Sequence, residues 1–309
     1  MKRRTLAIAG RLLQNRNFIF ILALVFGLAI GKPGASLTVP SVLPLLALIM
    51  TVSALNISSR ELTSIKDLSQ IVLYSILLNY LILGGVILLL ARWLIHDNEL
   101  WAGFVVLAII PPAPAVVPFS YSLGGNVLFS LIGMAGGYLA ALIIIPLSLI
   151  YFFGTQSFDP LNLVLIVVEL VIIPIMVSRL LLYFRLARYI ERWRGVIVNW
   201  SIFIIIFTLI GLNRQVFFGD FEVLIRISVI AIAISFGLGY LLEVIGKTMR
   251  LKHETTVSVI LMGTAKNYTL AGGLLLSLFS ERSAIPPAIC VFFAIFQIVW
   301  LGFHFHKNG

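Results

Sequence analysis

Pro111-Pro112-Ala113-Pro114-Ala115-Val116-Val117-Pro118 sets four prolines in eight residues inside an otherwise apolar run, 100–122. Each proline removes a backbone donor and its ring clashes with the preceding turn, so no continuous helix passes through. Backbone freed in this way at membrane depth is tolerated only inside protein or beside a wet cavity. The stretch therefore predicts a discontinuous helix, provided that the chain around it is a membrane protein.

Composition supplies that condition. Of 309 residues, 61% are hydrophobic and 11% charged, against about 25% charged in ordinary soluble chains. Apolar runs of about 20 residues match the ~30 Å hydrocarbon core. They predict spans at 18–31, 37–57, 68–91, 100–122, 126–153, 160–183, 196–213, 223–245, 255–279 and 284–303. No alternating pattern points to a β-barrel, and the single Cys290 excludes a disulfide framework. With the N-terminus inside, sixteen basic residues fall on cytoplasmic segments, five (Lys32, Arg92, Arg214, Arg226, Arg282) fall outside, and Lys266 lies within a span. This asymmetry predicts a multi-pass protein of the cell (inner) membrane with both termini cytoplasmic. The net charge of +10 is then topological, the lipid bilayer is the partner it implies, and nucleic acid is not. Residues 1–16, with Leu6, Leu12 and Leu13 among basic residues, read as an interfacial amphipathic segment rather than a cleaved signal. No His-x-x-x-His face and no phosphate-binding loop occur, so neither a metal nor a cofactor is expected.

The polar stretch Gly154–Pro160 divides the spans into two sets of five, one repeat over 17–155 and another over 156–309. An odd number per repeat turns the second upside down, a recurring transporter plan whose sites lie where broken helices meet. The ninth span, counterpart of the fourth, holds Gly263-Thr264-Ala265-Lys266-Asn267-Tyr268-Thr269 about ten residues into an apolar helix. A lysine at that depth needs water or a partner and marks a functional site or a buried ion pair. Pro111, Pro112, Pro114, Pro118 and Gly263 are the expected breaking residues. A direct repeat, Tyr121-x-Leu123-x-Gly125-x-x-Leu128-x-Ser130-Leu131 against Tyr268-x-Leu270-x-Gly272-x-x-Leu275-x-Ser277-Leu278, suggests duplication. Glu169 is the only carboxylate far from any span end; it faces Lys266 across a cleft or forms a static pair elsewhere.

These residues resemble the bile acid:sodium symporter family. Leu46–Ile57 running into Ser58–Leu62 is similar to its second helix, the proline-rich fourth span through Tyr121 and Gly125-Asn126 to its first crossing helix, and Lys266-Asn267-x-x-Leu270-Ala271 to its second, roughly Gln-Asn-x-x-Leu-Ala. The resemblance implies an all-α membrane protein of ten transmembrane helices in two inverted five-helix repeats. Spans 1, 2, 6 and 7 would form a panel domain, and spans 3–5 and 8–10 a core in which spans 4 and 9 cross as discontinuous helices. The implied activity is alternating-access transport of a small organic anion. The departures lie at the sodium sites. Met262 stands where sodium-coupled members carry an acid, Lys266 replaces the Gln, Val116-Val117 replace a Ser-Asn pair, and Met134 follows Ser130 one turn on. Too few oxygens remain for sodium. The ammonium of Lys266 would occupy the ion's place, with Asn79 accepting a hydrogen bond from it, and Asn267, Thr264, Ser120, Ser130 and Glu169 complete the expected substrate and ion site. A desolvated ammonium gives up its proton more easily, so H⁺ coupling is open beside Na⁺ coupling and passive facilitation. An intramembrane enzyme would need clustered acids or histidines, whereas the twelve carboxylates are scattered.

Overall fold

The computed structural model describes residues 16–55, 65–154, 165 and 168–306. Almost all of the expected interfacial segment 1–16, the hinge beyond Gly154, Arg60 and Lys307 lie outside them. In chain order, α1 (Arg16–Ile30) and α2 (Lys32–Thr38) meet at Gly31, and a 3-10 turn, Val39–Ser41, leads into α3 (Val42–Ala54). α4 (Ile65–Ile76) widens into a π-helical stretch, Leu77–Leu83, before continuing as α5 (Gly84–Leu94). α6 (Asn98–Ile109) stops at the prolines, α7 (Val116–Ser122) restarts beyond them, and α8 (Val127–Phe153) follows. A π-helical turn, Val168–Ile172, opens α9 (Ile173–Tyr183), followed by α10 (Ala187–Glu191), α11 (Arg194–Leu212) and α12 (Arg214–Gly219). α13 (Phe221–Ile232) passes through a second mid-helix π stretch, Ala233–Gly237, into α14 (Leu238–Thr248). α15 (His253–Thr264), α16 (Tyr268–Leu278) and α17 (Ile285–His306) complete the described chain.

Six stretches are long and apolar enough to cross a membrane: Lys32–Val52, Leu68–Leu94, Val127–Phe153, Arg194–Leu212, Phe221–Thr248 and Arg282–Phe305. The other four expected spans correspond to shorter apolar helices, Phe18–Ile30, Asn98–Ile109, Ile173–Tyr183 and Tyr268–Leu278. Two of these four, α6 and α16, are halves of the interrupted spans.

The chain divides into two compact units. In the first, α11 packs along α1, α2 and α3, while α9 packs on α3. The Thr38 and Thr208 hydroxyls meet at 2.6 Å within this group. The second unit holds α4–α8 and α13–α17. Here α4 lies along α8, α5 on α6, α14 on α15, and α17 against α13, α16 and α6. Carboxylate or amide caps start its helices where the sequence places Asp or Asn. Asp97 accepts from the N–H groups of Glu99 and Leu100, Asn126 from Phe129, Asp220 from Val223 and Asn267 from Leu270. Asp97 fills two, and each of the others one, of the donors that a helix N-terminus leaves open.

The direct repeat read from the sequence does not correspond in space. Tyr121–Ser130 covers the end of α7, a turn with Gly124 at φ 70° and the start of α8, whereas Tyr268–Ser277 lies within one helix. The match reflects a composition rich in leucine, glycine and serine.

The end of the first π stretch approaches α6 closely. A Cβ on Gly84 would fall 2.8 Å from the carbonyl oxygen of Ala108, whereas one on Gly85 meets nothing within 4 Å. Both substitutions to alanine gain helix propensity, about 1 kcal/mol, but only one collides with backbone. Gly85→Ala should therefore raise the unfolding midpoint and Gly84→Ala lower it, by a net of about 1–3 kcal/mol; chemical denaturation in micelles measures both.

Asp97 also receives the Arg282 guanidinium at 2.9 Å, joining the α6 cap to the turn before α17. Partial burial alone would raise this carboxyl. The Leu100 N–H, Arg282 and the Glu99 N–H outweigh it and hold the group below the usual carboxylate range. The clasp is complete above the carboxyl's unfolded value and is lost as pH falls through the lower folded one. Asp97→Ala should cost about 1 kcal/mol at neutral pH, and the difference from the parent should shrink below about pH 4.

Candidate functional site

The two interrupted spans cross inside the second unit, and each break has its own cause. Pro111 pushes the residue before it out of the helical region, and Ile110 is accordingly extended at φ −71°, ψ 145°. Pro111, Pro112 and Pro114 fill the gap, and the Val116 N–H returns to the Ala113 carbonyl at 3.0 Å as α7 begins. Pro118 is not part of the break. It sits in the first turn of α7, where its missing N–H has no intrahelical partner to lose.

The second break has no proline. α15 ends at Thr264, Ala265 is extended at φ −99°, ψ 112°, and Asn267 caps α16. Its Oδ1 accepts from the Leu270 N–H at 3.1 Å and from Thr269 Oγ1 at 2.8 Å, while its Nδ2 donates to the Tyr138 hydroxyl at 2.9 Å. Gly263, expected to unwind the span, is still helical. Its missing side chain makes room for Leu242, and the unwinding starts two residues later. The breaks pair with each other in an isolated antiparallel bridge between Pro112 and Lys266, with the Asn267 N–H donating to the Pro111 carbonyl at 3.1 Å.

Lys266 lies at this crossing with 1% of its surface exposed. Its Nζ donates to Asn79 Oδ1 at 2.9 Å, to the Ala108 carbonyl at 2.7 Å and to the Ile110 carbonyl at 2.8 Å. An ammonium has three donors, and all three are used. The Tyr80 ring adds its face, with Nζ 4.9 Å from the centroid. Asn79 projects from the first π stretch and turns its amide nitrogen to the Met262 and Ala265 carbonyls, at 3.1 and 3.3 Å. It thus joins the ammonium to the frayed end of α15. The charge sits at the carboxyl ends of two half-helices, α6 and α15, where the helix dipoles favour a cation. Among the described residues all its hydrogen-bond partners are neutral oxygens.

The other expected site residues divide among three places. Ser120 and Ser130 are buried in a hydroxyl chain through Ser258, at 2.9 and 3.1 Å, and Ser258 donates on to the Asn126 carbonyl at 2.9 Å. Thr264 donates to the Ile260 carbonyl at 2.8 Å and receives Gln297 Nε2 at 3.0 Å. Glu169 is exposed on the π-helical turn that belongs to the first unit, and among the described residues it forms no ion pair. Tyr80, Tyr138, Ser258 and Gln297 are the polar participants that sequence reasoning missed. Each is a polar side chain within an apolar span, which was the available signal.

A family model, that of the Sodium Bile acid symporter family, matches residues 43–218. This is more than half of the chain, which belongs to that family and is a membrane transporter rather than an enzyme. The matched segment takes in Asn79, the proline break and Glu169, and it ends before the break that carries Lys266. No curated protein matches the chain.

Replacing Lys266 by methionine keeps length and removes all three donors, leaving two backbone carbonyls and Asn79 Oδ1 without their partner. The expected loss is about 3–5 kcal/mol of stability, the range for breaking a buried charged contact. Lys266→Met combined with Asn79→Leu should cost less than the sum of the single changes by about 1 kcal/mol or more. Additive losses in a double-mutant cycle would show that the contact contributes nothing.

Proposed function

We propose that this transporter moves a small organic anion by alternating access without sodium, the Lys266 ammonium acting as a cation that never leaves the crossing. The observation carrying the reading is the full saturation of Nζ by Asn79, Ala108 and Ile110. Three carbonyl-type oxygens around a positive centre are the ligands that an alkali cation takes from a protein. A tethered ammonium fills such a cage permanently, so no ion need bind or leave in the cycle. Amide and peptide oxygens do not take a proton at ordinary pH, so these partners supply no relay for H⁺ coupling. The driving force is then the substrate's own gradient or its exchange for another anion.

Features in matching places of the two halves support the ten-helix plan of inverted repeats. Mid-helix π stretches occur at 77–83 and 233–237, and unwound segments at 110–115 and 265–267. The preference for an anion rests on the amino end of α16, whose dipole starts at the crossing, with Thr269 half-buried in its first turn. Lys266 is too enclosed to touch a substrate and contributes through its field.

Proteoliposome uptake of a panel of organic anions tests the reading. Replacing Na⁺ by choline, or collapsing a proton gradient, should change the initial rate by less than about twofold. NaCl and choline chloride should also give the same thermal midpoint, because a ligand at 100 times its dissociation constant would add ~2.7 kcal/mol. A strict sodium requirement with Lys266 intact would end the proposal.

A further inference from the structure

Two non-glycine residues have a left-handed backbone among the described ones, Arg185 at φ 59° and Arg250 at φ 53°. They occupy the same position in the same motif. After α9 the Leu186 N–H reaches back to the Leu181 carbonyl at 2.9 Å and the Arg185 N–H to Leu182 at 3.1 Å. After α14 the Leu251 N–H reaches Gly246 at 2.9 Å and the Arg250 N–H reaches Lys247 at 3.1 Å. This paired bonding closes a helix around one left-handed residue, and that residue is ordinarily glycine because a Cβ is strained there. Strain retained twice with the same side chain points to a use for that side chain.

The surroundings indicate the use. Each arginine is exposed and flanked by exposed apolar residues, Phe184 at 62% and Leu186 at 45%, Met249 at 67% and Leu251 at 36%. Further guanidinium groups follow the first turn. Arg188 lies 4.8 Å above the Tyr189 ring and donates to its hydroxyl at 2.8 Å, and Arg192 lies 5.6 Å from the Trp193 ring, both aromatics being more than half exposed. Lys252 is exposed beside the second turn. Both turns end apolar helices and belong to the basic-rich set of connections. An apolar-Arg-apolar triplet at a helix end matches the boundary of a bilayer, with flanking side chains among the first methylenes and the guanidinium fork on phosphate oxygens.

We infer that the turns at Arg185 and Arg250 are docking sites for the headgroups of anionic phospholipids, each using a guanidinium held at a left-handed helix terminus between two membrane-dipping apolar residues. The whole protein in dodecyl maltoside micelles provides the test. It is titrated with fluorescent phosphatidylglycerol and, separately, with the phosphatidylcholine of the same chains. The parent should prefer phosphatidylglycerol. Arg185→Gly and Arg250→Gly should each weaken that binding about fivefold, in line with the contribution of a basic residue at an anionic surface, and leave phosphatidylcholine binding unchanged. In lipid-free micelles the same glycine variants should keep or raise the thermal midpoint, since glycine relieves the turn. Arg185→Lys and Arg250→Lys should retain most of the preference. Equal affinity of the parent for both lipids overturns the inference, as does undiminished phosphatidylglycerol binding in the double glycine variant. A midpoint that falls on Arg→Gly without lipid also overturns it, because the side chains would then be holding the fold. Displacement of the lipid by soluble polyglutamate at equal charge would assign the surface to an acidic protein and overturn it too.

Discussion

The crossing depends on a division of hydrogen-bonding roles between two unwound segments. Prolines remove three of the six N–H groups of residues 110–115, so the first break has more acceptors than donors, and the carbonyls of Ala108, Ile110 and Pro111 turn toward the second. The second break contributes donors, the Asn267 N–H and the three protons of Lys266. An unsatisfied peptide group in hydrocarbon costs several kcal/mol, so neither segment is tolerable alone. Together they share three hydrogen bonds, from the Asn267 N–H to Pro111 and from Lys266 Nζ to Ala108 and Ile110. Asn79 completes the arrangement because its amide can accept from the ammonium and donate to the end of α15 at once.

A fixed cation in this position differs energetically from a mobile one. A dissociable ion adds affinity in proportion to its concentration and links the conformational equilibrium to a gradient. A lysine supplies the same charge at the carboxyl ends of α6 and α15 at every concentration, with entropy lost only in a side-chain stem already attached. While the amine stays protonated its field follows no ion gradient, so on the proposed reading it favours no single state of a cycle. The Tyr80 ring and the close seat of Ala108 on Gly84 hold the ammonium's surroundings in one arrangement.

How legible these features were in the sequence depended on whether their causes are local. The proline break could be read almost to the residue, since proline acts through its own ring; only Pro118 was misassigned, because a proline three residues into a helix costs little. The second break was located through the cost of a buried lysine, but its boundary was misjudged at Gly263. Glycine accompanies both unwinding and close helix packing, and only the neighbouring Leu242 distinguishes them. What opens the backbone at Ala265–Asn267 is the cap at Asn267 and the bridge to Pro111 and Pro112, and that bridge joins residues 154 apart, Pro112 and Lys266, which no window contains. Asn79 as the partner of Lys266 came from family resemblance, not from spacing. Tyr138 and Ser258 were overlooked because their importance lies in whom they meet.

Local rules and departures from them fall in different places, and the contrast is informative. Asp97, Asn126, Asp220 and Asn267 stand where helix starts require them. Three basic residues stand where local preference would not put them, Lys266 within an apolar span and Arg185 and Arg250 at turns suited to glycine. Sequences generally agree with their folds at every level except where function imposes a cost. The lysine's departure is offset by three oxygens inside the protein. The arginines' departures have no comparable protein partner among the hydrogen bonds of their turns, which are made by backbone alone. On the lipid-docking inference, compensation for a strained, exposed cation comes from outside the chain, from the headgroup layer beside the end of an apolar helix.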